Sequence, residues 1–293
     1  MTDMDSPTLK LLLPKGRIQE KVMVLLAAVG HRYTVSNRSY KPVCSDAEID
    51  AKILKAQNIP ALVALGRHDC GFTGHDWVQE QQADVVELLD LGYDPVRIVA
   101  AVPEAFLQAP QGFPFTDRPL VVASEYRGLT ERYLAKKGYQ AVFVQTYGAT
   151  EALPPDDADM IVDNTATGST LRLNRLAIVD TLLESTTRFV ANRQSLQNPW
   201  KRRKLEELCM LMESSIRASK KVLLEMNVPK EALEAVVASL PSMKSPTVSP
   251  LFGEEGFAIK TAVDKADVSR LIPSLMAAGA RDILEYHLEK IVT

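Results

Sequence analysis

What most limits the fold of this chain is an alternation: short apolar runs of strand length are each followed by a segment whose apolar residues recur at helical spacing. LKLLLP, Leu9 to Pro14, closes on a proline and passes through Lys-Gly-Arg into IQEKVMVLLAAVG, a helical pattern that stops at Gly30. The succession returns in AKIL and NIPALVALG, in CGFTG and HDWVQEQ, and in VVELL before RIVAAVP. Strands separated by helices of this length need crossover connections, which predicts a parallel α/β sheet.

A looser stretch after Pro103, EAFLQAPQGFPFTDRP, separates this first sheet from a second set: LVVAS, the helix LTERYLAKKG, AVFVQ and the strand ADMIVD. LAIVDTLLESTTRFVANRQSL then carries the chain back. The expected result is two lobes, residues 1–98 with 179–203 and residues 99–178, joined by two crossings around a cleft, a favoured place for ligands. Beyond Pro199 a long helical pattern, LEELCMLMESSIRASKKVLLEMN, leads to EALEAVVASLP, PTVSPLF, GFAIKTAVD, DVSRLIPSLMAAGA and DILEYHLEKIV. These predict a separate α+β domain over residues 204–293 with its own core.

Composition excludes several classes. At 293 residues, 46% hydrophobic and 24% charged, the chain is globular, and its net charge of −3 is spread without a basic face, against nucleic acid or an anionic membrane as partner. The one basic run, WKRRK from Trp200 to Lys204, reads as a solvated hinge. Cys44, Cys70 and Cys209 are odd in number and far apart, with no ligand spacing, so neither a disulfide framework nor a zinc site is expected, and Cys70 reads as a small core residue. His31, His68, His75 and His287 show no metal-ligand spacing either, and His75 in FTGHDW reads as an exposed loop histidine. With no targeting pattern at the N-terminus and no run of membrane-spanning length, a cytoplasmic protein is expected.

Directly after the apolar Met160–Val162 the sequence reads DNTATGSTL. A strand that delivers a small, hydroxylated loop to a helix start is a general device for holding phosphate. Backbone N–H groups from Thr165 to Thr170 can point inward, Thr167, Ser169 and Thr170 add donors, and Gly168 allows close approach. Asp163 would repel phosphate, so it suits sugar hydroxyls or Mg²⁺, and the loop points to a phosphorylated sugar. An N-cap and turn is the plain alternative. The loop matches neither GxxxxGK[ST] nor GxGxxG.

Read with its neighbours, ADMIVDNTATGSTLR resembles the signature of the ATP phosphoribosyltransferases. LLLPKGRIQE resembles that family's N-terminal strand and Lys-Gly-Arg loop, DCGFTGHDWVQE its Asp-x-Gly-Ile-Thr-Gly-x-Asp segment, and VVELLDLGYDPVRIVAAVPE and YGATEALP follow its pattern. LEMNVPKEAL, SLPSMKSPTVSPLF and AAGARDILEYHLEKIV look like the regulatory domain of the long form. The resemblance implies a two-lobed, type II periplasmic-binding-protein-like catalytic core and an ACT-like (ferredoxin-like) C-terminal domain. It also implies attack of adenine N1 of ATP on phosphoribosyl pyrophosphate, with Mg²⁺ and release of pyrophosphate, at the first step of histidine biosynthesis. Such a displacement needs anchoring and charge neutralisation more than a strong base, so the want of an obvious catalytic His or Ser is no obstacle.

By position, the resemblance gives the phosphoribosyl pyrophosphate loop to Asp163, Asn164, Thr165, Ala166, Thr167, Gly168, Ser169 and Thr170, with Mg²⁺ held through substrate and by Asp163. Lys15, Arg17, Lys55, Glu151 and Asp163 form the catalytic group, while Lys15, Gly16, Thr73, Gly74 and Asp76 lie on the ATP side. Asn227, Ser245 and Thr247 match the pocket that takes histidine as a feedback inhibitor, in enzymes that assemble from dimers to hexamers. The pattern is departed from at Lys55 and Asn58, where Arg and Asp are usual, and in a segment between Glu151 and Asp163 that is one residue short and carries Pro155, Asp156 and Asp157 in place of a glycine. Those departures leave open a second reading, a regulatory partner of the same fold that binds nucleotide or amino acid.

Overall fold

The computed structural model describes residues 7–35, 39–108, 113–114, 117–241, 246–253 and 255–292. By contact density they fall into two compact units, one of residues up to Val24 and His31–Leu205, the other of Leu25–Gly30 and Glu206 onward.

The first unit opens with β1 (Leu9–Lys15), whose Leu11, Leu12 and Leu13 are buried in succession, as a strand covered on both faces requires. It continues through α1 (Arg17–Ala28), a short ribbon of β2 (Tyr33–Thr34) and β3 (Val43–Cys44), then β4 (Ile49–Lys55), α2 (Ile59–Ala64), β5 (Cys70–Gly74), α3 (His75–Gln81) and β6 (Val85–Asp90). β7 (Val96–Pro103) starts the second sheet, followed by α4 (Glu104–Leu107), β8 (Leu120–Ser124), α5 (Arg127–Lys137), β9 (Ala141–Gln145), β10 (Met160–Thr165), α6 (Ser169–Leu173) and β11 (Leu176–Ser185). β12 (Thr187–Asn192) then returns to the first sheet.

The two sheets run β4-β1-β5-β12-β6 and β11-β7-β10-β8-β9. β1 pairs in parallel with β4 and β5, while β12 lies antiparallel between β5 and β6. Both sheets are thus mixed, each with antiparallel neighbours where the chain crosses between lobes. The crossings fall at residues 91–95 and 186. RIVAAVP, read in the sequence as the last strand of the first sheet, is a central strand of the second, with Val99 to Val102 wholly buried between β10 and β11. LAIVDTLLES is the edge strand β11 of that second sheet, so the segment returning to the first sheet begins at Thr187 rather than at residue 179.

A buried carboxylate fastens the late part of this unit to the early part. Asp69, 5% exposed, accepts hydrogen bonds from Lys10 N at 2.8 Å, Ser195 Oγ at 2.6 Å and Lys201 Nζ at 2.7 Å. Lys204 reaches Asp46 and Glu48 at 2.7 and 2.6 Å. WKRRK is therefore the first turns of α7 (Pro199–Ser219), with two of its lysines paired, and not a solvated hinge. Asp69→Ala strands Ser195 and Lys201, and should cost about 3–5 kcal/mol, read as a lower urea midpoint at unchanged m.

In the second unit, β13 (Lys221–Pro229), α8 (Leu233–Ser239), β14 (Thr247–Pro250), β15 (Gly256–Asp264), α9 (Val268–Ala277) and β16 (Arg281–His287) build an antiparallel sheet of order β14-β15-β13-β16 with the ferredoxin-like βαββαβ succession. The sequence ran the helix before it on through KVLLEMN; instead the helix ends at Ser219, and Val222, Leu224, Met226 and Val228 alternate inward on β13. They pack with Val236, Ile259, Val263, Leu271 and Leu275 into one core. Among the described residues no helix is long and apolar enough to cross a membrane.

Candidate functional site

The C-terminal ends of β1, β4 and β5 bring together residues distant in sequence. The β1–β4 register sets Lys15 beside Lys55, both exposed, and Lys15 Nζ lies 5.3 Å from the centre of the Tyr40 ring. Gly16 turns from strand to helix at φ +97°, a conformation that L side chains rarely adopt. Arg17 follows as the first residue of α1. At the end of β5, Gly74 precedes α3, and a Cβ added there would sit 2.0 Å from Asp76 Oδ1. Lys15, Arg17, Gly74, Asp76, Trp77 and Asp94 face Tyr126, Asn164 and Thr186 across a cleft of about 210 Å³.

Asp76 ties the two sheets together at that cleft. Its carboxylate, buried at 5% exposure, accepts from Ser185 Oγ at 2.7 Å and from the Tyr126 hydroxyl at 2.8 Å. The Tyr126 hydroxyl in turn accepts from Asn164 Nδ2 at 3.4 Å. Burial, then the neighbouring Asp76 carboxylate, pushes the Tyr126 hydroxyl far above its ordinary pKa, so it stays a donor. Trp77 stacks on Tyr126 at 4.5 Å between ring centres. One turn on, the Glu80 carboxylate takes the N–H groups of Gly128 and Leu129, both at 2.8 Å, where α5 begins. α3 thus follows the first sheet in sequence and is fastened to the second by an acid at a helix start.

The loop after β10 is satisfied largely by itself. Thr165, buried, accepts from Gly168 N at 2.9 Å; Thr167 Oγ1 donates to Ser169 Oγ at 3.0 Å; and Arg172 Nη1 donates to Thr167 O at 3.1 Å. Gly168 holds φ +75° at the start of α6. That helix is only five residues long, because the chain passes through Arg175 at φ +55° straight into β11. The donors this segment presents are therefore its local N–H and O–H groups and Arg172, with little from a helix dipole. Asn164 lines the cleft just described, whereas Ala166 lines a second concavity of about 440 Å³ on the same crossings, shared through Val96, Ser185 and Thr186 and carrying Arg97 and Arg188.

Asp163 is the most perturbed acid of the site. Burial, reinforced by Glu151 and Glu125 and opposed by a hydrogen bond from Asn164 N, raises its carboxyl from 3.8 to about 6. Glu151 sits in the short turn Thr150–Ala152 and acts on Asp163 through charge. Among the described residues, no three of His, Cys, Asp and Glu are grouped to hold a metal alone. One unneutralised carboxylate with acids behind it suits a divalent cation that brings most of its oxygen ligands from a substrate polyphosphate.

Other expected residues have different surroundings. Thr73 turns away, its hydroxyl donating to Ala56 O at 2.8 Å, so it fixes the loop after β4 rather than presenting a group to the cleft. Asn58 precedes α2 without making a side-chain cap. His75 holds Glu87 through Nδ1 at 2.9 Å, and Cys70 is fully buried. In the second unit Asn227 and Thr247 lie on one face of the sheet, on opposite sides of β15, with Asn227 Nδ2 donating to Asp282 at 3.1 Å. Ser245 lies outside the described residues. Tyr126, Trp77, Asp94 and Ser185 were not singled out from the sequence; Tyr126 stands immediately before a helix, as Gly16 and Gly74 do, and that is the one signal that could have marked it.

Residues 55–214 match the family model described as ATP phosphoribosyltransferase, and residues 218–290 match that described as HisG, C-terminal domain. A curated ATP phosphoribosyltransferase from Thermodesulfovibrio yellowstonii is 42% identical, the match covering 99% of this chain and all of the relative. One from Chlorobium luteolum is 44% identical over 97% of each chain. Among solved structures, the ATP phosphoribosyl transferase (HisG:HisZ) complex from Thermotoga maritima contains a chain 27% identical at TM-score 0.61, covering 70% of this chain and 99% of that one.

Proposed function

Since this chain belongs to the ATP phosphoribosyltransferase family, we propose that the cleft between its two sheets is where ATP and phosphoribosyl pyrophosphate meet. The enzyme transfers the 5-phosphoribosyl group of phosphoribosyl pyrophosphate to N1 of ATP, releasing pyrophosphate, in the first step of histidine biosynthesis. The observation that carries the site assignment is the convergence of Lys15, Arg17, Gly74 and Asp76 with Asn164 of the hydroxylated loop on one cleft.

In this reading the local donors of Thr165 to Thr170 and the Arg172 guanidinium hold the 5-phosphate, and Asp163 faces the ribose hydroxyls. The paired strand-end lysines Lys15 and Lys55 supply positive potential for the polyphosphates. A lysine at position 55 keeps the charge of the usual arginine without its planar fork. Asp163, together with oxygens of the substrate, would hold Mg²⁺, which when bound would supply positive charge for the departing pyrophosphate. Adenine N1 attacks with its own lone pair, so the protein has to anchor, align and exclude water rather than remove a proton there.

Supporting a histidine sensor in the second unit are the ferredoxin-like sheet and the shared face of Asn227 and Thr247. Assembly from dimers to hexamers is supported by the edge strand β16, which exposes Leu284 and Tyr286. Cys44, Cys70 and Cys209 as thiols outside any disulfide suit a reducing cytoplasm. The test is to mix the enzyme with ATP, phosphoribosyl pyrophosphate, Mg²⁺ and pyrophosphatase and to follow the ultraviolet absorbance of phosphoribosyl-ATP with and without histidine. Product formation suppressed by histidine is expected. No product, with either substrate still bound, would favour the regulatory partner.

A further inference from the structure

Asp94 lies in the first crossing between the sheets, and its side chain is 93% buried although the cations around it are not. Oδ1 meets Lys21 Nζ at 2.9 Å and Arg17 Nε at 3.4 Å. Oδ2 is buried without a hydrogen-bond partner, and the residue lines the same cleft as Lys15 and Arg17.

The carboxylate is held from behind by the backbone. Asp94 takes φ +48°, a left-handed conformation that Asp tolerates better than most side chains. The residues before it are clamped to β12, with Thr187 N donating to Tyr93 O at 2.9 Å and Leu91 N to Thr187 O at 3.0 Å. The second crossing is tied to the first by Thr186 Oγ1, which donates to Asp90 Oδ1 at 2.6 Å. A buried carboxylate oxygen without a donor costs free energy in the unliganded protein, and a position that keeps one in a ligand cleft is explained if the ligand brings the donor. A phosphate has no donor to bring and would be repelled. The complement is a neutral hydroxyl or amino group.

We propose that Asp94 is a nucleotide-facing residue of this cleft: Oδ1 holds Arg17 and Lys21, while Oδ2, enclosed in the unliganded protein, is uncovered as ATP enters and accepts a hydrogen bond from a neutral donor of the nucleotide, either a ribose hydroxyl or the adenine 6-amino group. This rests on the assignment of the cleft to ATP. Asp94 then does two jobs at once, steering the Arg17 guanidinium and reading the nucleoside to which the polyphosphate is attached.

The experiment measures equilibrium binding of ATP, 2′-deoxy-ATP, 3′-deoxy-ATP and inosine triphosphate, with Mg²⁺, to the full-length wild type and to D94A, D94N, R17A and K15A, each checked for an unchanged thermal transition. In the wild type one analogue should bind at least about tenfold more weakly than ATP, the loss expected for a hydrogen bond to a charged acceptor. D94A and D94N should lose a similar factor for ATP and show no further loss for that analogue, whereas R17A should weaken ATP and retain the discrimination. The identity of the analogue tells hydroxyl from amine. Equal weakening of ATP and all three analogues in the Asp94 variants, or none, would overturn the proposal. If K15A also left ATP binding unchanged, the assignment of the cleft itself would fall; if K15A weakened ATP and the Asp94 variants did not, only the role of Asp94 would.

Discussion

Asp163→Asn is expected to lower kcat/KM by about 100-fold, the scale of a lost charge-assisted contact in a dry site, and at the same time to stabilise the unliganded enzyme. The two effects have one origin. The Asp163 carboxyl titrates at about 6 in the folded chain against 3.8 ordinarily. Folding therefore favours its protonated form, and that contribution is fully present below about pH 4 and is lost as pH rises through about 6. Above that value the wild type holds a half-buried carboxylate beside Glu151 and Glu125, and the asparagine variant does not. The variant should be more stable by about 2–3 kcal/mol at pH 7.5, with the gap closing between pH 6 and pH 4, as read from paired urea titrations. The wild type should also release a proton when Mg²⁺ and phosphoribosyl pyrophosphate bind near pH 6, seen as a buffer-dependent heat in calorimetry. A variant no more stable at pH 7.5 would show that Asp163 is already neutralised before substrate arrives.

Removing the Asp76 carboxylate should cost stability on the same scale as removing that of Asp69. Asp76→Ala leaves the Ser185 and Tyr126 hydroxyls buried without their acceptor, at about 1–3 kcal/mol each, and should lower the thermal midpoint by roughly 8–15 °C. Tyr126→Phe removes one of the same bonds and should cost about 1–3 kcal/mol. The double variant should fall short of the sum by about 1–2 kcal/mol, because both singles break the same contact. Additive losses would mean that the bond between Asp76 and Tyr126 contributes nothing in solution. Activity should fall with either single change, since Tyr126 also holds Asn164 in the cleft.

The two-sheet core and the small third sheet were legible because their strands carry unambiguous patterns: the leucine-rich LKLLLP, the loop after MIVD, and a change of character after Pro199. Assignment of strands to sheets was less legible. RIVAAVP is equally apolar in either sheet, and only its pairing with β10 and β11 decides the matter. KVLLEMN follows a long helix and offers too few residues for periodicity to tell strand from helix. Lysines of WKRRK read as solvated because their acids, Asp69, Asp46 and Glu48, lie more than a hundred residues earlier. In the site, the hydroxylated loop stood out by composition, while Gly16 and Gly74 were placed by the family resemblance. Asp76, Tyr126 and Ser185 form their contact across 50 and 109 positions, which a single sequence does not display.

The place of β12 bears on how the chain is made. The first sheet needs this strand between β5 and β6, yet it leaves the ribosome only after the whole second sheet. Residues 96–185 form that second sheet as one continuous stretch, so it can close while synthesis is still under way. Until residue 192 emerges, β5 and β6 face each other across an empty lane with their edges unpaired, and that is the interval in which the nascent chain is most open to pairing with the wrong strand.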